Sequence, residues 1–253
     1  MDKKIIDISR HQDTIDFDAL KASGIDGVII KAGGSDDGIY EDSMYRRNVA
    51  ECERVGIPYG LYYYVGPKCI TPKDGVADAE RFDKLIKDAG AKPAYPIYID
   101  LESTDPPDKA GATDATIAFC EYMEDHGYFV GIYASDISGF AERLDLSRLD
   151  AYTKWVANYN CAPQYVKSYD IWQYTDKGII PGIKGYVDVN HCYKDFPELI
   201  KSKGCNGFPK PATQQAAESK PEPAKPAAQQ ATTTVTVNID GVDRPIKEIK
   251  IIV

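Results

Sequence analysis

Short apolar strand segments alternate with amphipathic helix segments from the first residues of this chain, and that alternation leaves few folds open. Residues 4–9 read as a strand, and 17–23 as a short helix that Gly24 ends. Residues 27–31 are an uninterrupted apolar run of the kind a parallel sheet buries on both faces. The next helix, 43–55, sets Tyr45, Val49 and Cys52 on one side and stops at Gly56. Residues 59–65 form a tyrosine-rich strand. Thr71-Pro72 opens a further helix, a capping residue followed by proline at the first helical position. Val76, Ala79, Phe82 and Ile86 give it a buried stripe, and Gly90 ends it. Residues 96–101 are a fourth strand, 113–126 a helix with Ile117, Cys120 and Met123 inward, and 129–134 a fifth strand. Segments 154–158, 169–174 and 186–190 are strand-like with shorter connections. The pattern predicts an α/β chain folded as an irregular, TIM-like (β/α) barrel with fewer helices in its second half.

The 253 residues suffice for one such domain of about 200 residues plus an appendage. Composition changes abruptly at Gly207. Residues 207–231 are Pro, Ala, Gln, Lys and Glu with almost no large apolar side chain, the signature of an extended, semi-rigid linker. Residues 232–253 hold two β-rich runs around Asp240-Gly-Val-Asp-Arg-Pro245, read as a small hairpin module. The expected division is therefore 1–206, 207–231 and 232–253. No apolar run approaches the roughly 18–20 residues of a membrane span. The N-terminus enters a strand at once, so a secretory signal is not expected. Net charge is −9 without a Lys/Arg cluster, which excludes a nucleic-acid partner. The six cysteines form no C-x-x-C pair, and Cys52 and Cys120 fall on apolar helix stripes as small core residues.

Chemistry concentrates in Tyr98-Ile-Asp-Leu-Glu102 on the fourth strand. Alternate strand residues share a face, so Asp100 and Glu102 are expected to project side by side. Two adjacent carboxyls raise each other's pKa, leaving one protonated and one ionised. Glycoside hydrolysis needs that division: an acid for the leaving oxygen and a carboxylate for positive charge at the sugar carbon. An isolated D-x-E reads first as a strand end that meets solvent, and the rest of the chain reverses that order. Asp7 on the first strand and Asp188 on the last add two more acids, expected at the C-terminal ends of strands that close next to one another. Either one alone also reads as a capping aspartate. Tyr62, Tyr64, Tyr133, Trp155, Tyr159, Trp172 and Tyr174 fall at or near strand ends too. Core packing is the competing reading for Trp155 and Trp172. The excess of 18 Tyr over 7 Phe favours a wet, amphipathic groove, since a phenol seeks a polar partner.

Seven segments, taken together and in order, resemble family 25 glycoside hydrolases, the Chalaropsis-type lysozymes or N-acetylmuramidases. They are Asp7-Ile-Ser9, Gly27-Val-Ile-Ile-Lys-Ala32, the Gly60 to Tyr64 run, Tyr98-Ile-Asp-Leu-Glu102, Trp155-Val-Ala-Asn-Tyr159, Trp172-Gln-Tyr-Thr175 and Tyr186-Val-Asp-Val-Asn190. The resemblance implies Glu102 as general acid and Asp100 as its partner, with Asp7 and Asp188 completing the acidic site. It implies substrate contacts from Lys31, Tyr62, Tyr64, Tyr133, Trp155, Asn158, Trp172 and Gln173, with bacterial peptidoglycan as the partner. It implies no cofactor and no metal; His11, His126 and His191 lack metal-ligand spacing. A catalytic domain, a linker and a small module without a signal look like a bacteriophage endolysin, made in a host bacterial cytoplasm and acting on the wall after release. The chain departs from the family pattern at Gly33-Gly-Ser-Asp-Asp-Gly38 and at Tyr62-Tyr-Tyr64, both at the expected substrate rim.

Two rivals remain at this level: a chitinase-like or glucosaminidase-type glycosidase, and a non-catalytic wall-binding protein on a barrel. The first lacks its longer D-x-x-D-x-D-x-E run here, since Lys92-Pro-Ala-Tyr-Pro96 precedes Asp100. The second leaves four acids idle in one pocket. The β-rich tail exposes strand edges suited to pairing with copies of itself, so a homo-oligomer is expected, with a monomeric wall-binding module as the alternative.

Overall fold

The computed structural model describes residues 2–102, 108–159 and 161–210, together with the two strands Thr236–Ile239 and Val242–Pro245. The chain divides into two compact units, 1–211 and 212–253. The first unit ends a few residues beyond the composition change at Gly207. Asn206 belongs firmly to the first unit: it is buried and donates to the carbonyls of Pro93 and Tyr95 while accepting the amide of Phe129.

In the first unit, strands β1 (Lys3–Ile8), β2 (Gly27–Gly34), β4 (Tyr59–Tyr64), β5 (Ile97–Asp100), β6 (Val130–Ser135), β7 (Thr153–Ala157) and β8 (Ile171–Gly178) run parallel in sequence order. The short strand β3 (Tyr40–Glu41) folds back antiparallel on the end of β2. Strand β9 (Val187–Cys192) lies between β8 and β1, antiparallel to both, and closes an eight-stranded mixed barrel. Helices α1 (Phe17–Ala22), α2 (Tyr45–Val55), α3 (Pro72–Ala89) and α4 (Lys109–Asp125) cover the first half, and α5 (Phe196–Lys203) follows β9. Only short helical turns connect β6 to β7, and the described residues between β7 and β8 hold no helix. The expected irregular barrel with a helix-poor second half is what forms. No described helix is long and apolar enough to cross a membrane.

Strand alternation sorts the core into two clusters. Ile6, Val28, Leu61, Ile97 and Val130 belong to the cluster shared with the helices, where Tyr63 packs on Phe82 of α3 and Phe82 on Phe119 of α4. Ile5, Ile29, Tyr98, Tyr133, Trp155 and Ile171 form a second cluster that fills the barrel. Gly131 makes room for it, since a Cβ there would lie 2.5 Å from the Tyr98 ring.

Helix ends follow local chemistry. Thr71 and Asp74 form a reciprocal cap at the start of α3, Pro72 takes its first position, and Gly90 ends it at φ 63°. Helix α4 starts a turn before the expected Thr113. Asp108 caps it by accepting from the Gly111 amide at 3.0 Å, while the Thr113 hydroxyl donates back to the Lys109 carbonyl at 2.6 Å.

In the second unit, β10 (Thr236–Ile239) and β11 (Val242–Pro245) pair antiparallel with Ile239 opposite Val242. Asp240 and Gly241 alone separate them. The second strand thus begins within the segment read from sequence as the turn. The expected linker from 211 onward, and the Ile246 to Val253 run, lie outside the described residues.

Candidate active site

The barrel mouth places the acids. Asp7 is the last residue but one of β1, and Asp100 is the last of β5. Asp188 is the second residue of β9, not near its end. Since β9 runs antiparallel, its beginning lies at the mouth where the parallel strands finish, and Asp188 sits directly opposite Asp7 in the strand register. The four acids do not come from adjacent strands, as the sequence reading had it. β1 and β9 are neighbours, but β2 and β4 stand between β1 and β5. The acids meet across the mouth, where Asp7, Asp100, Glu102 and Asp188 line one cavity of about 230 Å³.

Their environments differ. Asp100 is buried, and its Oδ1 has no hydrogen-bond partner among the described residues. Burial, reinforced by the charge of Glu102, pushes its carboxyl well above the usual range, while Lys31 pulls the other way. Glu102 lies past the end of β5 and is exposed, yet it lines the same cavity as Asp100. Asp7 is buried and raised by desolvation and then by Asp188. Two amides oppose this: Asn190 Nδ2 donates to Asp7 Oδ2 at 2.9 Å, and Gln173 Nε2 donates to the same oxygen at 3.0 Å. Asp188, half-buried, is pushed up to about 6, by desolvation first and by the Asp176 charge second.

The hydrogen bonds continue outward from these amides. Gln173 Oε1 accepts from the hydroxyls of Tyr133 and Tyr159 at 2.8 and 2.9 Å. Asn190 Oδ1 accepts the Trp155 indole at 2.7 Å. Trp155 is 1 % exposed and lies among the rings of Tyr62, Tyr98 and Tyr133, at the floor of the cavity and in the core at once. Lys31, Tyr62, Tyr64 and Gln173 also line the cavity. The Lys31 ammonium stands 4.4 Å from the Tyr64 ring and within 6 Å of the Tyr40 and Tyr62 rings. Burial and the carboxylates of Asp7 and Asp100 push the Tyr62 phenol well up, so it stays a neutral donor.

Asn158 lines an adjoining hollow. Trp172 lies outside both. Gln173 takes the inward position on β8, which turns its neighbour outward, and Trp172 packs against Tyr174 and His191 while its indole donates to the Asn158 carbonyl. Tyr174 is on that outer face as well. Sequence reading did not single out Asn190, which holds Asp7, although its place two residues after Asp188 puts it on the same strand face. His11 lines the cavity too. All six cysteines are free thiols, with Cys52 and Cys120 in the core. The described residues contain no cluster of His, Cys, Asp and Glu suited to a metal ion.

Among known proteins, the chain is 29 % identical over 188 residues to an autolytic lysozyme of Clostridium acetobutylicum, a match that covers 74 % of the chain and 55 % of the relative. Its fold matches the modular autolysin LytC from Streptococcus pneumoniae, in complex with a synthetic peptidoglycan ligand, at TM-score 0.69 and 32 % identity. That match covers 76 % of this chain and 47 % of LytC. The CTP1L endolysin matches at TM-score 0.69 and 31 % identity, over 79 % of this chain and 70 % of that one. The chain thus spans about half the length of the lysozyme and the autolysin. The sequence profile of glycosyl hydrolases family 25 matches residues 6–183, from within β1 to just short of β9. The chain belongs to the family 25 glycosyl hydrolases.

Proposed function

We propose that this chain hydrolyses the β-1,4 bond between N-acetylmuramic acid and N-acetylglucosamine in bacterial peptidoglycan. The observation that carries this reading is one pocket in which a buried Asp100 sits beside an exposed Glu102, with Asp7 and Asp188 facing them. Glu102, at the rim, protonates the glycosidic oxygen as the bond breaks. Asp100 is its partner. Its Oδ1 has no partner among the described residues, which costs roughly 1–3 kcal/mol on burial, and a substrate amide or hydroxyl removes that cost. The 2-acetamido group carries such an amide, so Asp100 orients it. Asp7, fixed by Asn190 and Gln173, and Asp188 orient water or sugar and support positive charge at the reacting carbon. The similarity to an autolysin that holds a peptidoglycan ligand supports the same substrate class.

In the same reading the enzyme is of endolysin type, released from the cell that made it and acting on the wall. The strand pair Thr236–Ile239 and Val242–Pro245 supports an oligomer. A lone two-stranded hairpin is marginal in water and leaves both edges open to further pairing. Several catalytic units on one particle would leave the wall slowly.

Glu102→Gln tests the assignment. Release of reducing ends from purified walls should fall by about 10²–10⁴-fold with the fold intact, because the amide keeps the shape and cannot give a proton. Wall lysis at the wild-type rate by a folded Glu102→Gln protein removes Glu102 as the acid.

A further inference from the structure

At the end of the barrel opposite the acid pocket, three lysines that lie far apart in the chain line one cavity of about 300 Å³. Lys154 is the second residue of β7, Lys194 follows the end of β9, and Lys203 is the last residue of α5. Parallel β7 finishes at the mouth, so its beginning lies at the base, and antiparallel β9 ends there too. Trp155 points into the barrel, which turns Lys154 to the outer side, the layer that helices fill in the first half of the chain. With no helix among the described residues between β7 and β8, its ammonium meets the cavity. The side chain is 7 % exposed. Among the described residues its Nζ donates one long bond, 3.3 Å to the Tyr152 carbonyl, and stands 3.9 Å from Asp150 Oδ1. An ammonium has three donors, and a buried charge is costly unless it is paired and hydrogen-bonded. Burial accordingly pulls the Lys154 pKa below the ordinary lysine value, against the pull of Asp150 and Asp170. Those two acids share the cavity. Asp170 is engaged, since Lys194 pairs with it at 2.8 Å and the Thr153 hydroxyl donates to its other oxygen. The Asp150 carboxylate is 85 % exposed and faces solvent.

We propose that this cavity binds a phosphate group, with the ammonium groups of Lys154 and Lys203 on its oxygens and Lys194 at its edge. Three ammonium groups against two carboxylates leave the cavity positive in a chain whose net charge is −9. A planar carboxylate pairs best with the flat fork of arginine, and no arginine lines the cavity. Lysine is a compact point charge, and its three donors suit the tetrahedral oxygens of a phosphate. Such a ligand supplies the acceptors that the buried Lys154 lacks. An adjoining hollow of about 300 Å³ shares Thr153 and Lys203 with the cavity, so a phosphate that carries substituents has room as well. The same chemistry therefore fits inorganic phosphate and the phosphodiester units of an anionic wall polymer. The second source rests on the proposed function, which brings the chain to the wall; the site itself does not. Its place at the base leaves the barrel mouth free for glycan while the site is occupied.

Equilibrium binding of two probes to the full chain, at constant ionic strength held with chloride, tests the site. The first probe is inorganic phosphate, which the wild-type chain should bind saturably. Lys154→Met keeps the aliphatic stem and removes the charge. Lys203→Ala acts at an exposed position and so decides the test independently of the buried lysine. Each should weaken binding roughly tenfold, the loss of one charge-assisted hydrogen bond. Lys84→Ala removes the same charge from an exposed place on α3 and should change the affinity by less than about twofold, since salt screens distant charges. The second probe is poly(glycerol phosphate), which has no sugar for the mouth and no glycosidic bond to cleave. Polymer binding tighter than phosphate binding, and lost with the same lysines, assigns the site to a wall polymer; phosphate binding without polymer binding assigns it to the free ion. No saturable binding of either probe, or binding that Lys84→Ala weakens as much as Lys203→Ala does, overturns the site and leaves the proposed function standing. A chain that binds through these lysines yet releases no reducing ends from walls keeps the site and removes the proposed function.

Discussion

Asp100 is the last residue of β5 and 3 % exposed, whereas Glu102, two residues on, stands at the exposed rim. The strand ends between them, and this break gives two neighbouring carboxyls different surroundings. Burial raises the Asp100 carboxyl well above the usual carboxylate range. A carboxyl whose folded-state pKa lies above its unfolded value binds its proton more tightly when folded, so its contribution to stability is present at low pH and lost as pH rises through the folded pKa. Asp100→Asn removes a group that opposes folding at neutral pH. The variant should melt several degrees above wild type at pH 7, yet lose most wall lysis. Thermal unfolding decides: a variant that melts below wild type at pH 7 contradicts the burial argument.

Asp188 fixes a narrower window. Its pKa rises from the ordinary 3.8 to about 6, so its stabilising contribution is complete below about 4 and lost by pH 7. The melting temperature of Asp188→Asn relative to wild type should therefore increase between pH 4 and pH 7. A difference independent of pH means that Asp188 titrates alike in the folded and unfolded chain.

Gly75 lets α3 and α4 touch. A Cβ at this position would lie 2.0 Å from the Ala115 carbonyl oxygen, backbone that cannot turn aside. Gly75→Ala should destabilise the barrel by about 1–3 kcal/mol through overpacking, despite the better helix propensity of alanine. Denaturant unfolding measures it, and a variant as stable as wild type shows that the helices separate at little cost.

Charge sets the salt response. The tail from Gly207 carries six basic and five acidic residues, net +1, which leaves −10 on residues 1–206 out of the chain's −9. An anionic wall repels such a surface at low ionic strength, and salt screens the repulsion. Lysis should rise as salt increases from about 10 mM to 150 mM, as the Debye length shortens from roughly 30 to 8 Å. A steady fall over that range contradicts this electrostatic account.

Much of the barrel was legible because its signals are local. Thr71, Pro72 and Gly90 mark α3 by their own chemistry, and Tyr45, Val49 and Cys52 mark the buried side of α2. What sequence left open depended on neighbours distant in the chain. Thr113 resembles a helix start, but Asp108 had already capped the turn before it. Asp188 resembles a strand-end acid until β9 is seen to run antiparallel. Trp155 and Trp172 carry the same residue type near similar strand ends, yet register sends one into the barrel and the other onto its outer face. Asn190 was visible by spacing, since it lies two residues from Asp188, but its hold on Asp7 belongs to the pairing of β1 with β9.

The nature of the new reducing end tests the central claim most directly. Purified peptidoglycan is digested with the full chain, the products are reduced with borohydride, and the amino sugar alcohols are identified. The account predicts muramitol as the new product, with Glu102→Gln giving almost none. Glucosaminitol in its place, or no reducible product from a folded wild-type chain, would contradict it.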